Sequence, residues 1–190
     1  MSGTVPLRRW VLFWVIALGG AGFDLATKAI IFDRVGEPPA MRVLVPNLLE
    51  LRTSYNKGAL WGLGNTLQHG SLIFALLSVA AALAICYWLF WRGAAVDGRL
   101  TAALGLIMAG ALGNCYDRLV FGQVRDFVHL HIDAINFECA IFNFADNMLV
   151  IGAAVLMLLA LRPDPEGSAT TQPQPVCATG ESPSRFEDYP

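Results

Sequence analysis

Two aspartates, Asp126 and Asp146, are candidates to carry out a reaction together. Asp126 follows a long apolar run in the segment Val124–Phe127, and Asp146 lies about one helical turn inside the next apolar run. Two carboxylates brought within a few ångströms share one proton, because the charge of the first opposes ionisation of the second. The ionised partner can take a proton from water while the protonated partner polarises a carbonyl group. The pattern predicts aspartic hydrolysis, with Asp133 and Glu138 in the same loop as open alternatives.

Motifs typical of other hydrolases do not occur in the sequence. There is no HExxH of a zinc protease, no GxSxG nucleophile elbow and no GxGD. The four cysteines show neither CxxC nor His–Cys metal spacing, and we interpret His69, His129 and His131 as loop residues. The sequence therefore predicts chemistry that needs no serine, cysteine or metal ion.

Polar side chains lie inside three of the four apolar runs. In each run they lie near the end that faces the same side of the membrane. They are Asp24 and Lys28 in the first run, Asn114, Asp117 and Arg118 in the third, and Asn143, Asp146 and Asn147 in the fourth. Spacings of three and four residues place each group on one helix face. A charged side chain at the centre of a membrane helix costs about 2.5–3.5 kcal/mol on insertion scales, so its presence indicates a function.

Each of these groups also has a structural interpretation. Asp24 and Lys28 have the i, i+4 spacing of a local ion pair. We interpret Asp117 and Arg118 as part of an ion network inside the helix bundle, in which Asp117 and Asp24 are the carboxylates available to Arg118. The asparagines Asn114 and Asn143 can link helices, which contributes about 0.6–2 kcal/mol each.

The elements that position these residues are predicted from composition. The chain has 190 residues, of which 55% are hydrophobic and 15% charged, with a mean hydropathy of +0.52. Soluble domains average about 45–50% apolar and about 25% charged residues. Runs of about 20 apolar residues, each long enough to span a membrane, cover Trp10–Phe32, Ser71–Trp91, Leu100–Phe121 and Ala140–Leu161. We predict an all-α membrane protein with four transmembrane helices in one domain, residues 1–162.

The Arg8–Arg9 pair before the first run places both termini in the cytoplasm by the positive-inside rule. The same start, followed by Gly19–Gly22, also fits a cleavable signal peptide. Apolar residues resume at positions 29–32, which favours a membrane span. The net charge of −2 and the absence of a basic run argue against a nucleic-acid partner.

The segments between and after the runs have different compositions. Met41–Val45 and Leu48–Tyr55 are rich in β-formers and predict short strands outside the membrane. Gly58–Leu67 is predicted to form a short amphipathic helix at the membrane interface. The tail, residues 163–190, is rich in Pro, Ser, Thr and Glu and is predicted to be a disordered cytoplasmic segment.

Five motifs, in order along the chain, resemble those of the lipoprotein signal peptidases (signal peptidase II), an aspartic peptidase family. They are Asp24 with Thr27-Lys28, Asn56-Lys57-Gly58-Ala59, Gly113-Asn114-Cys115-Tyr116-Asp117-Arg118, Val124-Arg125-Asp126-Phe127, and Phe142-Asn143-Phe144-Ala145-Asp146. The resemblance extends roughly from Arg9 to Leu161. One departure is Leu60-Trp61, where the family more often has Ala-Phe.

This resemblance implies an aspartic endopeptidase that removes signal peptides from prolipoproteins, by hydrolysing the bond before a cysteine that carries diacylglycerol. It implies a monomeric bacterial inner-membrane enzyme without metal or organic cofactor, surrounded by lipid, whose active site lies near the outer leaflet. A small extracytoplasmic β-cradle and an interfacial helix would accompany the four helices. Asp126 and Asp146 would be catalytic, with substrate binding or support from Asp24, Asn56, Asn114, Arg118 and Asn143.

Two other classes of function compete with a peptidase. Intramembrane carboxylates also serve proton relays, so a small proton-coupled transporter or channel subunit is the first alternative. A relay needs polar groups throughout the membrane, whereas the second run has no charge and the others carry theirs near one end. The second alternative is a scaffold without catalysis, in which the polar layer serves only packing and Asp126 is dispensable.

Overall fold

The computed structural model describes residues 5–58, 69–95 and 97–161. The helix predicted at Gly58–Leu67, apart from Gly58 itself, and the predicted tail lie outside the described residues. The elements in chain order are α1 (Leu7–Val35), β1 (Met41–Val45), β2 (Leu49–Asn56), α2 (Gly70–Cys86, continued by a π-helical turn, Tyr87–Trp91), α3 (Gly98–Phe121), β3 (Val124–Ile132), β4 (Phe137–Glu138) and α4 (Phe144–Ala160).

Each predicted apolar run contains one helix. The helical segments Leu7–Val35 and Gly70–Trp91 are long and apolar enough to cross a membrane, and α4 is apolar but shorter. Large apolar side chains such as Leu76 and Leu83 project outward from α2, as expected of a surface that faces lipid. The fold is thus helical with a small sheet, consistent with a membrane protein. The fourth helix begins at Phe144 and not at Ala140, because the residues before it approach β3.

The four strands form one antiparallel sheet in the order β1-β2-β3-β4. The strands predicted at Met41–Val45 and Leu48–Tyr55 are both confirmed within a residue. The turn between them contains Asn47, whose φ of 59° is in the left-handed region that asparagine tolerates. Strand β3 was not predicted, and its register places Ser54 of β2 opposite Asp126.

Helix α3 is central and packs against α1, α2 and α4. Glycines on α3 permit the closest approaches, because a Cβ atom at Gly113 would lie 2.5 Å from Oδ2 of Asp24, and one at Gly110 would collide with the carbonyl oxygen of Ala145. These approaches occur where α3 passes the beginning of α4. They bring polar groups of three helices to the end of the bundle that adjoins the sheet.

Candidate active site

The beginning of α4 fixes the position of Asp146. Asn143 stands just before the helix, and its Oδ1 accepts a hydrogen bond from the backbone N–H of Asp146 at 3.0 Å. In return, Oδ2 of Asp146 accepts from the backbone N–H of Asn143 at 3.2 Å. This reciprocal pair has the pattern of a capping box, which satisfies N–H groups that the first helical turn leaves free. Asp146 thus lies in the first turn of α4, where a helix carries a partial positive charge.

Strand β3 carries Asp126, which is 3% exposed and lies beside this helix start. The side-chain N–H groups of Asn143 link the two elements, because Nδ2 donates to Oδ1 of Asp126 at 2.6 Å and to Oδ1 of Asn114 at 3.2 Å. Asn114 in turn donates to Oδ1 of Asp146 at 2.8 Å. The two asparagines therefore bring both aspartates into one hydrogen-bond network. On the other side, Asn56 of β2 donates to Oδ2 of Asp126 at 3.2 Å.

The pKa of Asp126 is raised from 3.8 to about 7, mainly by burial and next by the negative charge of Asp146. Hydrogen bonds from Asn143 and Asn56 favour the ionised form and oppose part of this rise. The pair can therefore retain one proton at near-neutral pH while its other member is ionised. That is the protonation state that aspartic hydrolysis requires.

Lys28 on α1 is the centre of a buried charge network behind the aspartates. Its ammonium lies 2.7 Å from Oδ2 of Asp24 and 3.3 Å from Oδ2 of Asp117, and it donates to Oδ1 of Asn114 at 3.0 Å. The predicted Asp24–Lys28 pair is thus confirmed. Asp24 also accepts from the backbone N–H of Ala145 at 2.8 Å, so it holds the first turn of α4 in place.

Asp117 on α3 is bonded to Arg125, the residue before Asp126. Its Oδ1 accepts from Nε and Nη2 of Arg125 at 3.2 and 2.7 Å, and its Oδ2 accepts from the backbone N–H of the same residue at 3.0 Å. The arginine also lies over the ring of Phe121, 4.3 Å from its centroid. These contacts fix the start of β3 against α3, which agrees with the structural interpretation of Asp117.

The expected partners of Arg118 were wrong. Within the described residues it forms no ion pair with Asp117 or Asp24. Its Nη2 donates to the backbone carbonyl of Gly58 at 2.9 Å, and its Nη1 donates to that of Asn114 at 3.4 Å. The reason is that Lys28 and Arg125 already occupy both carboxylates, which leaves the guanidinium directed toward the site.

A cavity of about 360 Å³ between α2, α3 and α4 leads to the site. Apolar side chains line most of it, among them Leu77, Ile107 and Leu149, and the polar residues Asn114, Arg118 and Asp146 contribute to its wall. An apolar cavity with a few polar groups is the usual form of a small-molecule or peptide subsite. Asp146 can therefore meet a substrate that enters from the apolar side.

The structure separates the alternative carboxylates from this network. Asp133 and Glu138 have side chains that are 64% and 70% exposed, and they contact His131 and His129 respectively. The interpretation of those two histidines as loop residues was wrong, since both lie in β3. The alternating pattern of residues 124–132 is the signal that predicts a strand here.

Comparison with known proteins agrees with this geometry. The profile of the family described as signal peptidase (SPase) II matches residues 16–162. A lipoprotein signal peptidase of Rhodopirellula baltica is 37% identical over 166 residues, covering 80% of this chain and 73% of its own. One of Solibacter usitatus is 32% identical over 161 residues, covering 84% and 95%.

Two solved structures have the same fold. A bacterial membrane enzyme solved at 2.3 Å resolution superposes with a TM-score of 0.67 at 24% identity, over 93% of this chain and 99% of that one. A second, solved at 1.9 Å, gives a TM-score of 0.68 at 26% identity, over 86% and 99%. The resemblance seen in the five motifs is confirmed, and the chain belongs to the signal peptidase II family of peptidases.

Proposed function

We propose that this chain removes signal peptides from diacylglyceryl-modified prolipoproteins, by hydrolysing the bond before the lipidated cysteine, with Asp126 and Asp146 as its catalytic pair. Membership of the family and the names of the relatives support the reaction and the substrate class. One observation carries the choice of residues: Asn143 contacts both aspartates, and Asp146 borders the apolar cavity.

In the mechanism, ionised Asp146 takes a proton from a water molecule as the water oxygen bonds to the scissile carbonyl carbon. Protonated Asp126 gives its proton to the carbonyl oxygen, which forms a neutral tetrahedral intermediate. When the C–N bond breaks, the proton held by Asp146 passes to the leaving amine, and a proton returns from the collapsing intermediate to Asp126. The raised pKa of Asp126 and the position of Asp146 at a helix N-terminus support this division of roles.

The charges around the pair support a single shared proton. Lys28 and Arg125 balance the two carboxylates of the rear network, Asp24 and Asp117. That leaves the positive charge of Arg118 beside the two catalytic aspartates. Buried charges are stable only when they are paired. One negative charge on the two aspartates is enough to balance Arg118, so the other aspartate can keep its proton. We assign Arg118 and Asn56 to substrate contact, and Asp24, Asn114 and Asn143 to support of the pair.

We further propose four membrane spans in the bacterial inner membrane, with both termini in the cytoplasm and the sheet outside. The Arg8–Arg9 pair and the exposed apolar side chains of the helices support this topology. The diacylglyceryl group would hold its cysteine at the bilayer surface, at the depth where the helices meet the sheet. Because one chain supplies the whole pair, we propose that a monomer is active.

The test is whether the full chain in lipid nanodiscs cleaves a purified diacylglyceryl-modified prolipoprotein. The readout is the appearance of the smaller product. Asp126→Asn and Asp146→Asn should each abolish cleavage while the protein stays folded and inserted. Asp133→Asn is the matched control, since this carboxylate is exposed, and it should cleave at the wild-type rate. Normal turnover by either catalytic variant would refute the pair, and equal cleavage of unlipidated substrate would refute the substrate class.

A further inference from the structure

A second cluster of ionisable side chains lies on the sheet, apart from the catalytic pair. Glu50 of β2 stands opposite His129 of β3 in the register, and His131 follows two residues later on the same face. His129 is three residues beyond Asp126, a distance of about 10 Å along a strand and on the opposite face. The cluster therefore belongs to a different surface of β3 from the one that carries the proposed reaction.

Carboxylates contact both nitrogens of the buried ring of His129. Nδ1 lies 3.1 Å from Oε2 of Glu50, and Nε2 lies 3.1 Å from Oε1 of Glu138. A neutral imidazole has one N–H, so it can donate to only one of these oxygens. The other carboxylate then faces a lone pair, which is unfavourable unless the ring takes up a second proton or a metal cation lies between the two groups.

His131 adds a ligand that the protein leaves unused. Its ring stacks on that of His129 with centroids 5.4 Å apart. Its Nδ1 is buried and has no hydrogen-bond partner among the residues that the structure describes. A buried polar atom without a partner destabilises the fold, so a ligand at the site would explain the conformation of His131.

The geometry fits one metal ion. Ligand atoms of Glu50, His129 and His131 all lie within 4.8 Å of one another, around a polar cavity of about 240 Å³. Two ligands at about 2.0–2.1 Å from a tetrahedral zinc ion are about 3.3 Å apart, close to the 3.1 Å between Glu50 and His129. Two imidazoles and a carboxylate suit zinc and copper better than magnesium or calcium, which prefer oxygen ligands.

We propose that Glu50, His129 and His131 bind one divalent transition-metal ion of the zinc class, with Glu138 at the exposed side of the site. The ion would join β2 and β3, the strand that carries Asp126, and would stabilise the sheet without taking part in hydrolysis. Spacing within one segment does not predict such a site, because Glu50 is 79 residues from His129.

The experiment measures zinc bound to the purified full chain by mass spectrometry after equilibration with zinc chloride and desalting. Wild type should retain about one zinc per chain, and zinc should raise its Tm. Glu50→Gln, which keeps the shape of the side chain, and His131→Asn should each weaken zinc binding at least tenfold and lose the rise in Tm. His69→Ala is the control, because His69 is exposed outside the cluster, and it should behave as wild type.

Any of three results would refute the metal site. The first is a zinc content of wild type no higher than that of His131→Asn, and the second is a loss of zinc in His69→Ala as large as in His131→Asn. The third is a rise in Tm with magnesium as large as the rise with zinc. Binding is measured without substrate, so the outcome is independent of the proposed peptidase reaction. If the wild-type protein binds zinc but cleaves no lipoprotein, the proposed metal site stands and the proposed function is refuted.

Discussion

The raised pKa of Asp126 predicts that removing its charge stabilises the folded protein at alkaline pH while it abolishes cleavage. A proton bound more tightly in the folded state than in the unfolded chain makes the free energy of unfolding fall as pH rises between the two pKa values. For Asp126 that interval extends from 3.8 to about 7. Asp126→Asn has no such proton, so its stability relative to wild type should increase across the same interval.

The size of the effect follows from the pKa. At about 1.4 kcal/mol per pKa unit, the rise corresponds to about 4 kcal/mol between pH 4 and pH 8. An amide at this position turns its NH₂ group toward Asn143 or Asn56, both of which donate to the native carboxylate. That mismatch costs about 1 kcal/mol at every pH. Asp126→Asn should therefore be about 1 kcal/mol less stable than wild type at pH 4 and about 3 kcal/mol more stable at pH 8.

Thermal unfolding in a mild detergent, followed by tryptophan fluorescence at several pH values from 4.5 to 8.5, measures this difference. For a chain of this size, about 3 kcal/mol corresponds to a shift in Tm of about 6–12 °C. Titrating groups that do not interact with Asp126 act equally on both proteins and cancel in the comparison, whereas the interaction with Asp146 is already part of the raised pKa. Asp133→Asn, which removes an exposed carboxylate, is the control and should lack the gain in Tm that Asp126→Asn shows at pH 8. If the Tm difference between Asp126→Asn and wild type were equal at pH 5 and pH 8, burial of this carboxyl would not govern its protonation.

Three further predictions concern the surroundings of the pair. Asp117→Asn should destabilise the folded protein by about 3–5 kcal/mol, and so lower its Tm and cellular abundance, because Lys28 and Arg125 lose a buried partner. A variant that is stable but inactive would instead make Asp117 part of the reaction. Gly110→Ala should cost about 1–3 kcal/mol by overpacking, measured by the same unfolding assay, whereas Gly19→Ala, where a Cβ meets nothing within 4 Å, should be neutral or slightly stabilising. Turnover should follow a bell-shaped pH profile and survive EDTA and Cys115→Ser, measured with purified lipidated substrate. Inactivation by EDTA that zinc reverses, seen also in His131→Asn, which lacks a ligand of the proposed sheet site, would replace the two-aspartate mechanism.

Local patterns in the sequence were sufficient to predict the helices and two of the strands. Apolar runs of about 20 residues located α1, α2 and α3, and alternating β-formers located β1 and β2. Strand β3 was missed because its first residues were interpreted as a turn that reverses the chain. Its main partner is β2, about 70 residues earlier, as in the Asn56–Asp126 contact. Alternation within the segment indicates a strand, but it does not identify a pairing partner so far away in the sequence.

The sequence also gave the wrong partners for Arg118. Asp117 and Asp24 were chosen because a buried guanidinium needs acceptors and these carboxylates lie inside the apolar runs, but adjacent residues such as Asp117 and Arg118 do not face each other on a helix. The guanidinium instead reaches the carbonyl of Gly58, 60 residues away in sequence, while Lys28 of another helix takes Asp117. Competition between cations for a buried carboxylate is decided by how the helices pack. The apolar pattern that predicts each helix does not contain that information.

Membership of a peptidase family excludes the transporter and the scaffold as the main function. Packing explains why this helix bundle can hold a reactive pair of aspartates. Three contacts hold the first turn of α4. Asp24 of α1 accepts from the N–H of Ala145, Asn114 of α3 donates to Asp146, and Asn143 donates to Asp126 of β3. Gly110 lets α3 approach this turn, since a Cβ there would collide with the carbonyl oxygen of Ala145. A shift of α3 relative to α4 would draw Asn114 away from Asp146 and weaken the network that joins the two aspartates. Gly110 thus supports the arrangement of the pair through helix packing.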